Sequence, residues 1–326
     1  MGEIKRIAVF TSGGDAPGMN AAVRAVVRTA TYHDLHVYGI IRGYQGMIDC
    51  NFQRLETRDV GNILHRGGTI LKTARSEEFR TKEGRQLAYE NLQANDIDAC
   101  IAIGGDGTFT GAHIFSKEHK IPFIGIPGTI DNDIFGTDYT IGFDTAVNTA
   151  IEAVDRIRDT ADSHNRLFFV EVMGRHAGFI GLNTGISSGA AAVMIPETNI
   201  SIDQLIEKLQ KGAKRKKLFS LVIVAEGNQN GGAAEIAQKV KEKFDYYDTK
   251  VTIIGHLQRG GAPSGLDRVL ASRMGFHAVE GLLAGKKDVA VGVINNKIKY
   301  TPFKDAISKI KNPNKDLIRM SEILAQ

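Results

Sequence analysis

Short, β-branched apolar runs alternate along this chain with longer stretches whose apolar residues recur every three or four positions. That is the pattern of buried parallel strands separated by amphipathic helices. Strands are expected over Ile4–Thr11, His36–Ile41, Ile97–Ile103, Ile121–Ile126, Leu167–Val172, Ala191–Ile195, Ser220–Ala225, Val251–Gly255 and Ala290–Ile294. Helices are expected from Met19, where Met19, Val23, Val26, Val27 and Ala30 share a face, from near Phe109, over Gly231–Phe244 and over Leu270–Leu283. Asp144 reads as the N-cap of another through about Asp162, with Val147, Ile151, Val154 and Ile157 inside, and Ser201-x-x-Gln204 reads as a capping box. Unbroken alternation predicts an α/β protein of doubly wound, mainly parallel sheets with helices on both faces. At 326 residues the chain exceeds a common single-domain length. No low-complexity linker divides it, so two lobes are expected, with the chain passing between them more than once.

Composition changes this picture little. Apolar residues make up 42% and charged residues 24%, which suits a soluble α/β chain and excludes a disordered one. The one bias is glycine, at 36 residues, which implies many places where backbone turns sharply or approaches a ligand closely. A net charge of +4, spread along the chain, gives no footprint for nucleic acid. The densest basic cluster, Lys214-Arg215-Lys216-Lys217, is either a phosphate site or a solvated helix end. Cys50 and Cys100 are the only cysteines, without metal-ligand spacing, and a disulfide scaffold is excluded. There is no long apolar signal region and no membrane-length run, so a cytoplasmic protein with no membrane partner is expected.

The candidate chemistry lies where the strands end. Pro127-Gly128-Thr129-Ile130-Asp131-Asn132-Asp133 follows a strand and sets two carboxylates two residues apart, which permits either an Asx-rich turn or a reaction centre with a general base. Ser12-Gly13-Gly14-Asp15 leads into a helix, a phosphate-binding arrangement that matches neither the dinucleotide fingerprint nor the Walker lysine pattern. In Gly104-Gly105-Asp106-Gly107-Thr108 an acidic residue flanked by glycines can hold Mg²⁺ through its waters while bare backbone admits nucleotide phosphates; a plain tight turn is the alternative. Thr73-Ala74-Arg75-Ser76 is polar and basic enough to face phosphate. Met173-Gly174-Arg175, Glu226 and His256–Arg259 end further strands. In a parallel sheet such ends share an edge, so the chain is expected to line a cleft suited to phosphoryl transfer, where protein groups mainly position reactants and neutralise charge.

Thr11–Asn20 (TSGGDAPGMN), Gly104–Thr108 (GGDGT), Pro127–Asp133 (PGTIDND), Met173–Arg175 (MGR) and Gly255–Gly261 (GHLQRGG) resemble the bacterial ATP-dependent 6-phosphofructokinases, in order, spacing and nearly full length. The resemblance implies two Rossmann-like lobes with the active site in the cleft between them. Residues 1–141 plus 257–307 would form an ATP-binding lobe, and 142–256 plus 308–326 a lobe for fructose 6-phosphate. It implies transfer of the γ-phosphoryl group of ATP, with Mg²⁺, to the sugar's 1-hydroxyl. Gly14, Arg75, Ser76, Gly105, Asp106, Gly107 and Thr108 would bind the nucleotide, with Asp106 as the metal residue. Thr129 and Asp131 would meet the reacting hydroxyl, Asp131 as base, with Asp133, Arg175 and Gly14 completing the catalytic group. Ile130, Met173, Gly174, Arg175, Glu226, Lys250, His256 and Arg259 would join Thr129 and Asp131 around the sugar phosphate, and Arg166 would reach it from a neighbouring subunit. Such sharing implies a homo-oligomer, which the resembling family builds as a homotetramer.

Five positions qualify the resemblance. Pyrophosphate-using relatives carry aspartate where this chain has Gly107 and lysine where it has Gly128, so both glycines favour ATP by leaving room for its α-phosphate. Lys250 stands where a second subunit-crossing arginine is common, and a point charge cannot make the planar two-pronged phosphate contact. Weaker sugar-phosphate binding is therefore expected. Arg24, Arg28, Arg158, Arg215 and Lys217 match effector contacts for ADP or phosphoenolpyruvate, but Ala191 replaces a metal-holding glutamate and Thr57 an arginine, so reduced or altered control by ADP is expected. The competing readings are a pyrophosphate-dependent kinase and a non-catalytic subunit that senses nucleotide or sugar phosphate.

Overall fold

The structure is a computed structural model and describes residues 4–161, 166–198, 200–215 and 219–325. Its strands are β1 (Arg6–Thr11), β2 (His36–Ile40), β3 (Phe52–Leu55), β4 (Ala99–Gly104), β5 (Phe123–Pro127), β6 (Arg166–Val172), β7 (Ala192–Met194), β8 (Phe219–Ala225), β9 (Asp248–Ile253), β10 (Val289–Ile294) and β11 (Lys297–Pro302). The chain divides into two units. One comprises the chain up to Ile130, Ile134–Asp144 and Arg259–Ile310; the other comprises Asp131–Asp133, Thr145–Gln258 and the chain from Lys311 onward. The boundaries expected at 141/142, 256/257 and 307/308 fall two or three residues later, and Asp131–Asp133 group with the second unit.

The first unit holds a seven-stranded sheet in the order β11-β10-β5-β4-β1-β2-β3. Its middle strands are parallel, whereas β3 and β11 pair antiparallel with β2 and β10. These antiparallel strands were not foreseen. They lie at the sheet's two edges, where half-exposed residues replace the apolar runs that mark a buried strand. The core is aromatic: Phe10, Phe109, Phe115, Phe123 and Phe303 are fully buried, and Tyr44 stacks on Phe79 with ring centroids 4.0 Å apart.

The second unit holds four parallel strands in the order β7-β8-β6-β9. Leu167, Phe169, Val222 and Val224 pack against Leu205 and Leu209 of the helix Ile202–Lys214 and against Ile236 and Val240 of the helix Ala233–Lys243. The expected Ser201–Gln204 capping box closes as a reciprocal pair of hydrogen bonds. Two expectations shift. The helix from Asp144 begins at Phe143, so Asp144 lies in its first turn instead of capping it. The expected strand Val251–Gly255 is β9, ending at Ile253, and Gly255–Arg259 forms a short 3-10 turn, entered through a positive φ of 56° at Gly255.

Candidate functional site

In the first sheet the chain leaves β1 for β2 on one side and later returns to β4 on the other. The switch point thus lies between β1 and β4, where open α/β sheets hold ligands. The loops after these strands are fastened to each other: Ser12 N–H donates to the Ile103 carbonyl (3.0 Å) and Thr108 Oγ1 to the Ser12 carbonyl (3.2 Å). A side chain at Gly104 would fall 2.3 Å from Thr108 Oγ1 and 2.5 Å from the Ser12 oxygen, so packing requires this glycine. The helix expected near Phe109 begins at Asp106 and runs to His119, with Gly105 as its N-cap and no side-chain capping bond. Gly104–Thr108 is therefore a strand end plus the opening helical turn, with N–H groups and a positive dipole end facing outward. Asp106 is exposed in that first turn, and a Cβ at Gly107 would meet nothing within 4 Å.

Gly14 lies against Arg259: a Cβ there would come 2.7 Å from the guanidinium, which also donates to the Asp15 carbonyl at 3.3 Å. Arg259, expected among the sugar-phosphate residues, thus sits on the loop after β1 in the first unit. Ser76 Oγ donates to Gln45 Oε1 (2.8 Å) and accepts from Phe79 N–H (3.2 Å), while Arg75 is exposed. Tyr44 was not singled out from the sequence. Its hydroxyl donates to the Thr108 carbonyl at 2.5 Å and braces the helix start, and burial pushes the phenol's pKa well above its ordinary value.

The Pro127–Asp133 stretch is held in place throughout. Gly128 N–H donates to the Gly104 carbonyl (3.0 Å), the Thr129 carbonyl accepts from Thr140 Oγ1 (2.6 Å), and Asn132, at φ 55°, accepts from Lys311 Nζ (2.8 Å). Ile130, Asp131 and Asn132 are buried and Asp133 is half-buried. A surface Asx turn would leave these side chains in solvent, so the arrangement favours a built site. At Gly128 the space a Cβ would enter holds the side-chain ends Ile103 Cγ2 at 3.0 Å and Met19 Cε at 3.2 Å, which would have to give slightly.

In the second unit β6 and β8 run in register, with Val172 beside Ala225, so their ends lie together. Met173 N–H donates to Gln258 Oε1 (2.8 Å), and Gly174 and Arg175 N–H both donate to Glu226 Oε1 (3.3 and 2.6 Å). Gly174 and Arg175 take positive φ of 146° and 55°. Arg175, Glu226 and His256 are exposed around this turn and the one that follows β9.

Arg166 and Lys250 lie elsewhere. Arg166 opens β6 opposite Asp248 of β9, whose carboxylate stands 2.9 Å from Lys250 Nζ and 3.6 Å from Arg166 Nε. Asp248 is accordingly held below the usual carboxylate range, first by its hydrogen bond to Lys250 and then by Arg166. Met173 follows Arg166 by seven residues, about 23 Å at ~3.3 Å per residue. A side chain at the start of β6 does not span that distance.

Of the effector candidates, Arg24 and Arg28 lie one turn apart on the helix Met19–Tyr32, and partial burial, then Arg28, lowers the Arg24 pKa. Arg158 donates to the Ser188 carbonyl and lies 5.9 Å from the Phe219 ring centroid. Arg215 ends the helix Ile202–Lys214, and Lys217 falls outside the described residues. Arg58, beside Thr57, pairs with Glu56 (3.3 Å) and more distantly with Asp59 (3.9 Å).

Comparison with known proteins places these features. A family model described as phosphofructokinase matches residues 6–282. The ATP-dependent 6-phosphofructokinase of Cytophaga hutchinsonii is 55% identical over 321 residues, covering 98% of each chain. The ATP-dependent 6-phosphofructokinase 1 of Thermus thermophilus is 55% identical over 322 residues, covering 99% of this chain and all of its own. Among solved structures, phosphofructokinase from Saccharomyces cerevisiae superposes with a TM-score of 0.89 at 39% identity, over 93% of this chain and 45% of the yeast chain. A pyrophosphate-dependent phosphofructokinase from Marinobacter aquaeolei shares the fold at a TM-score of 0.85 and 24% identity.

Proposed function

This chain belongs to the phosphofructokinase family, and on that premise we infer that it is an ATP-dependent 6-phosphofructokinase, converting fructose 6-phosphate and ATP to fructose 1,6-bisphosphate and ADP. The observation that carries the reading is 55% identity over nearly the whole chain to relatives named for that activity.

In the proposed reaction the sugar's 1-hydroxyl oxygen bonds to the γ-phosphorus as the bond from that phosphorus to the β,γ-bridging oxygen breaks. The hydroxyl proton passes to Asp131, a carboxylate held within a buried stretch, while Thr129 orients the hydroxyl and Asp133 supports the base. Backbone N–H groups of the Gly105–Thr108 turn and of Gly13–Gly14 face the nucleotide phosphates, with Arg75 and Ser76 beside them. Arg175 and His256 neutralise charge on the sugar side.

Asp106 would hold Mg²⁺. Magnesium commonly uses one or two carboxylates plus phosphate oxygens and keeps several waters. Among the described residues no three His, Cys, Asp or Glu groups gather into a metal cage, whereas exposed Asp106 beside the unfilled space at Gly107 suits that sparse donor set. When bound, the ion neutralises phosphate charge.

We further propose a homotetramer with shared sites. The distance along β6 from Arg166 to the Met173–Arg175 turn supports it, since a second copy can deliver Arg166 where the first cannot. No helix among the described residues is long and apolar enough to cross a membrane. A cytoplasmic location is proposed from the substrates. Control by ADP is proposed to be weak, because Ala191 offers no carboxylate and Arg58 is already paired with acidic neighbours.

A coupled assay tests these points together. Turnover is expected with ATP and not with pyrophosphate, and Asp131→Ala should lower kcat by about 10²–10⁴-fold while circular dichroism stays native. A pyrophosphate rate matching that with ATP rejects the donor assignment, an unimpaired Asp131→Ala rejects the base, and strong activation by low ADP rejects the proposal on control.

A further inference from the structure

We infer that Gln258 is a positioning residue for the sugar-phosphate side of the site, acting by locking the Met173–Arg175 turn to the opening turn of the helix Phe143–Ala161. The inference rests on reading that turn as a sugar-phosphate contact. Gln258 is completely buried. Its Oε1 accepts from Met173 N–H at 2.8 Å, and its Nε2 donates to the Ala146 carbonyl at 3.2 Å. A backbone N–H can only donate and a carbonyl can only accept, so the two partners fix which way the amide faces. Among side chains near this length only glutamine supplies a neutral donor and acceptor together. An ionised glutamate only accepts, and methionine has neither group to offer.

The turn needs such a lock. Met173, Gly174 and Arg175 present three successive N–H groups, and positive φ at Gly174 and Arg175 curls the backbone into a concave nest of the kind that attracts anions. Glu226 Oε1 takes the second and third N–H from an exposed position, whereas Gln258 takes the first from the interior. Glu226 alone leaves the turn hinged at an exposed carboxylate. Gln258 ties its first residue to a helix start, and it lies in the same 3-10 turn, Gly255–Arg259, that carries His256. Losing the lock shifts the turn without removing any group that touches substrate, so sugar-phosphate affinity should suffer and nucleotide affinity should not.

The experiment compares steady-state kinetics of wild type with Gln258→Met, which keeps the volume and loses both hydrogen bonds, and Gln258→Glu, which keeps the acceptor for Met173 N–H. Gln258→Met is expected to raise KM for fructose 6-phosphate about tenfold while KM for ATP stays within about twofold, because small misplacements of binding groups carry costs of this order. Gln258→Glu keeps the bond to Met173 N–H but sets an oxygen against the Ala146 carbonyl, so it should raise KM for fructose 6-phosphate as well. Should Gln258→Met show no cooperative melting transition, Gln258→Asn, one methylene too short for both partners, takes its place with the same expectation. A folded variant with both KM values unchanged, or both raised alike, overturns the inference. Wild type without turnover on fructose 6-phosphate and ATP overturns the underlying reading and the inference with it, and shows itself before any variant is made.

Discussion

In the first unit the loops after β1 and β4 are fastened mainly by backbone groups and close contacts at glycine, with Ser12 tied to Ile103 and Gly104 wedged against Thr108. In the second unit the turn after β6 is fastened by side chains brought from other strands, Gln258 from after β9 and Glu226 from after β8. The first arrangement presents backbone N–H groups and empty space, which suits phosphates that differ little among nucleotides. The second places charged and hydrogen-bonding side chains, which suits a particular sugar. A site of the first kind should tolerate side-chain changes except where glycine is sterically required or keeps the phosphate space open and uncharged, whereas one of the second should shift affinity with each side chain altered.

Gly107 and Gly104 give the sharpest contrast. Gly107→Asp should fold normally, since its Cβ meets no neighbour, and lower kcat/KM for ATP on the order of a hundredfold by setting a like charge beside the phosphates. Gly104→Ala should instead lower stability by roughly 1–3 kcal/mol through overpacking against Thr108. A destabilised Gly107→Asp with normal ATP kinetics would break the comparison.

Next in size is the support behind the helix Asp106–His119. Arg85 Nε and Nη2 hold Glu118 at 2.5 and 2.8 Å, joining it to the helix Lys82–Ala94, and this bond keeps the Glu118 carboxyl below its usual pKa. With Glu118 still 30% exposed, Glu118→Gln should cost about 2 kcal/mol, less than for a fully buried pair. The wild-type contribution is complete above the unfolded glutamate pKa, about 4.3, and is lost as pH falls through the lower folded value. Thermal melts from pH 7 to 3 should therefore converge for the two proteins at the acid end, with KM for either substrate unmoved at neutral pH. Melting curves that stay equally far apart throughout would assign the difference to packing.

The smallest effect is expected at Lys250. Lys250→Arg should lower KM for fructose 6-phosphate by about two- to fivefold, since a guanidinium grips phosphate with two parallel donors. The gain is limited because Asp248 holds the lysine and would hold the arginine too. An unchanged or higher KM would remove position 250 from the sugar-phosphate group.

The parallel strands and the helices between them were legible because a buried strand is a continuous apolar run and a helix a stripe of period 3.6. The edge strands β3 and β11 were not, since an exposed edge carries neither signal. The Asp144 cap missed by two residues because a carboxylate also suits the first helical turn. At the site, the glycine-rich strand ends announced themselves, but glycine does not say which way its missing side chain points: Gly107 opens into free space and Gly128 into Ile103 and Met19. Gln258 lay within the His256–Arg259 stretch but had no role assigned to it, and Tyr44 gave no signal. Their roles come from burial and from partners far away in sequence, and neither is written in the local string.

The unfilled space at Gly107 has an evolutionary consequence. Where a glycine is wedged into its surroundings, as at Gly104, drift away from it is stopped by misfolding, whatever the cell consumes as phosphoryl donor. At Gly107 the fold imposes no such censorship, since a Cβ there meets no neighbour within 4 Å. A lineage could therefore carry a side chain at this position without passing through an unstable intermediate, whereas at Gly104 it could not.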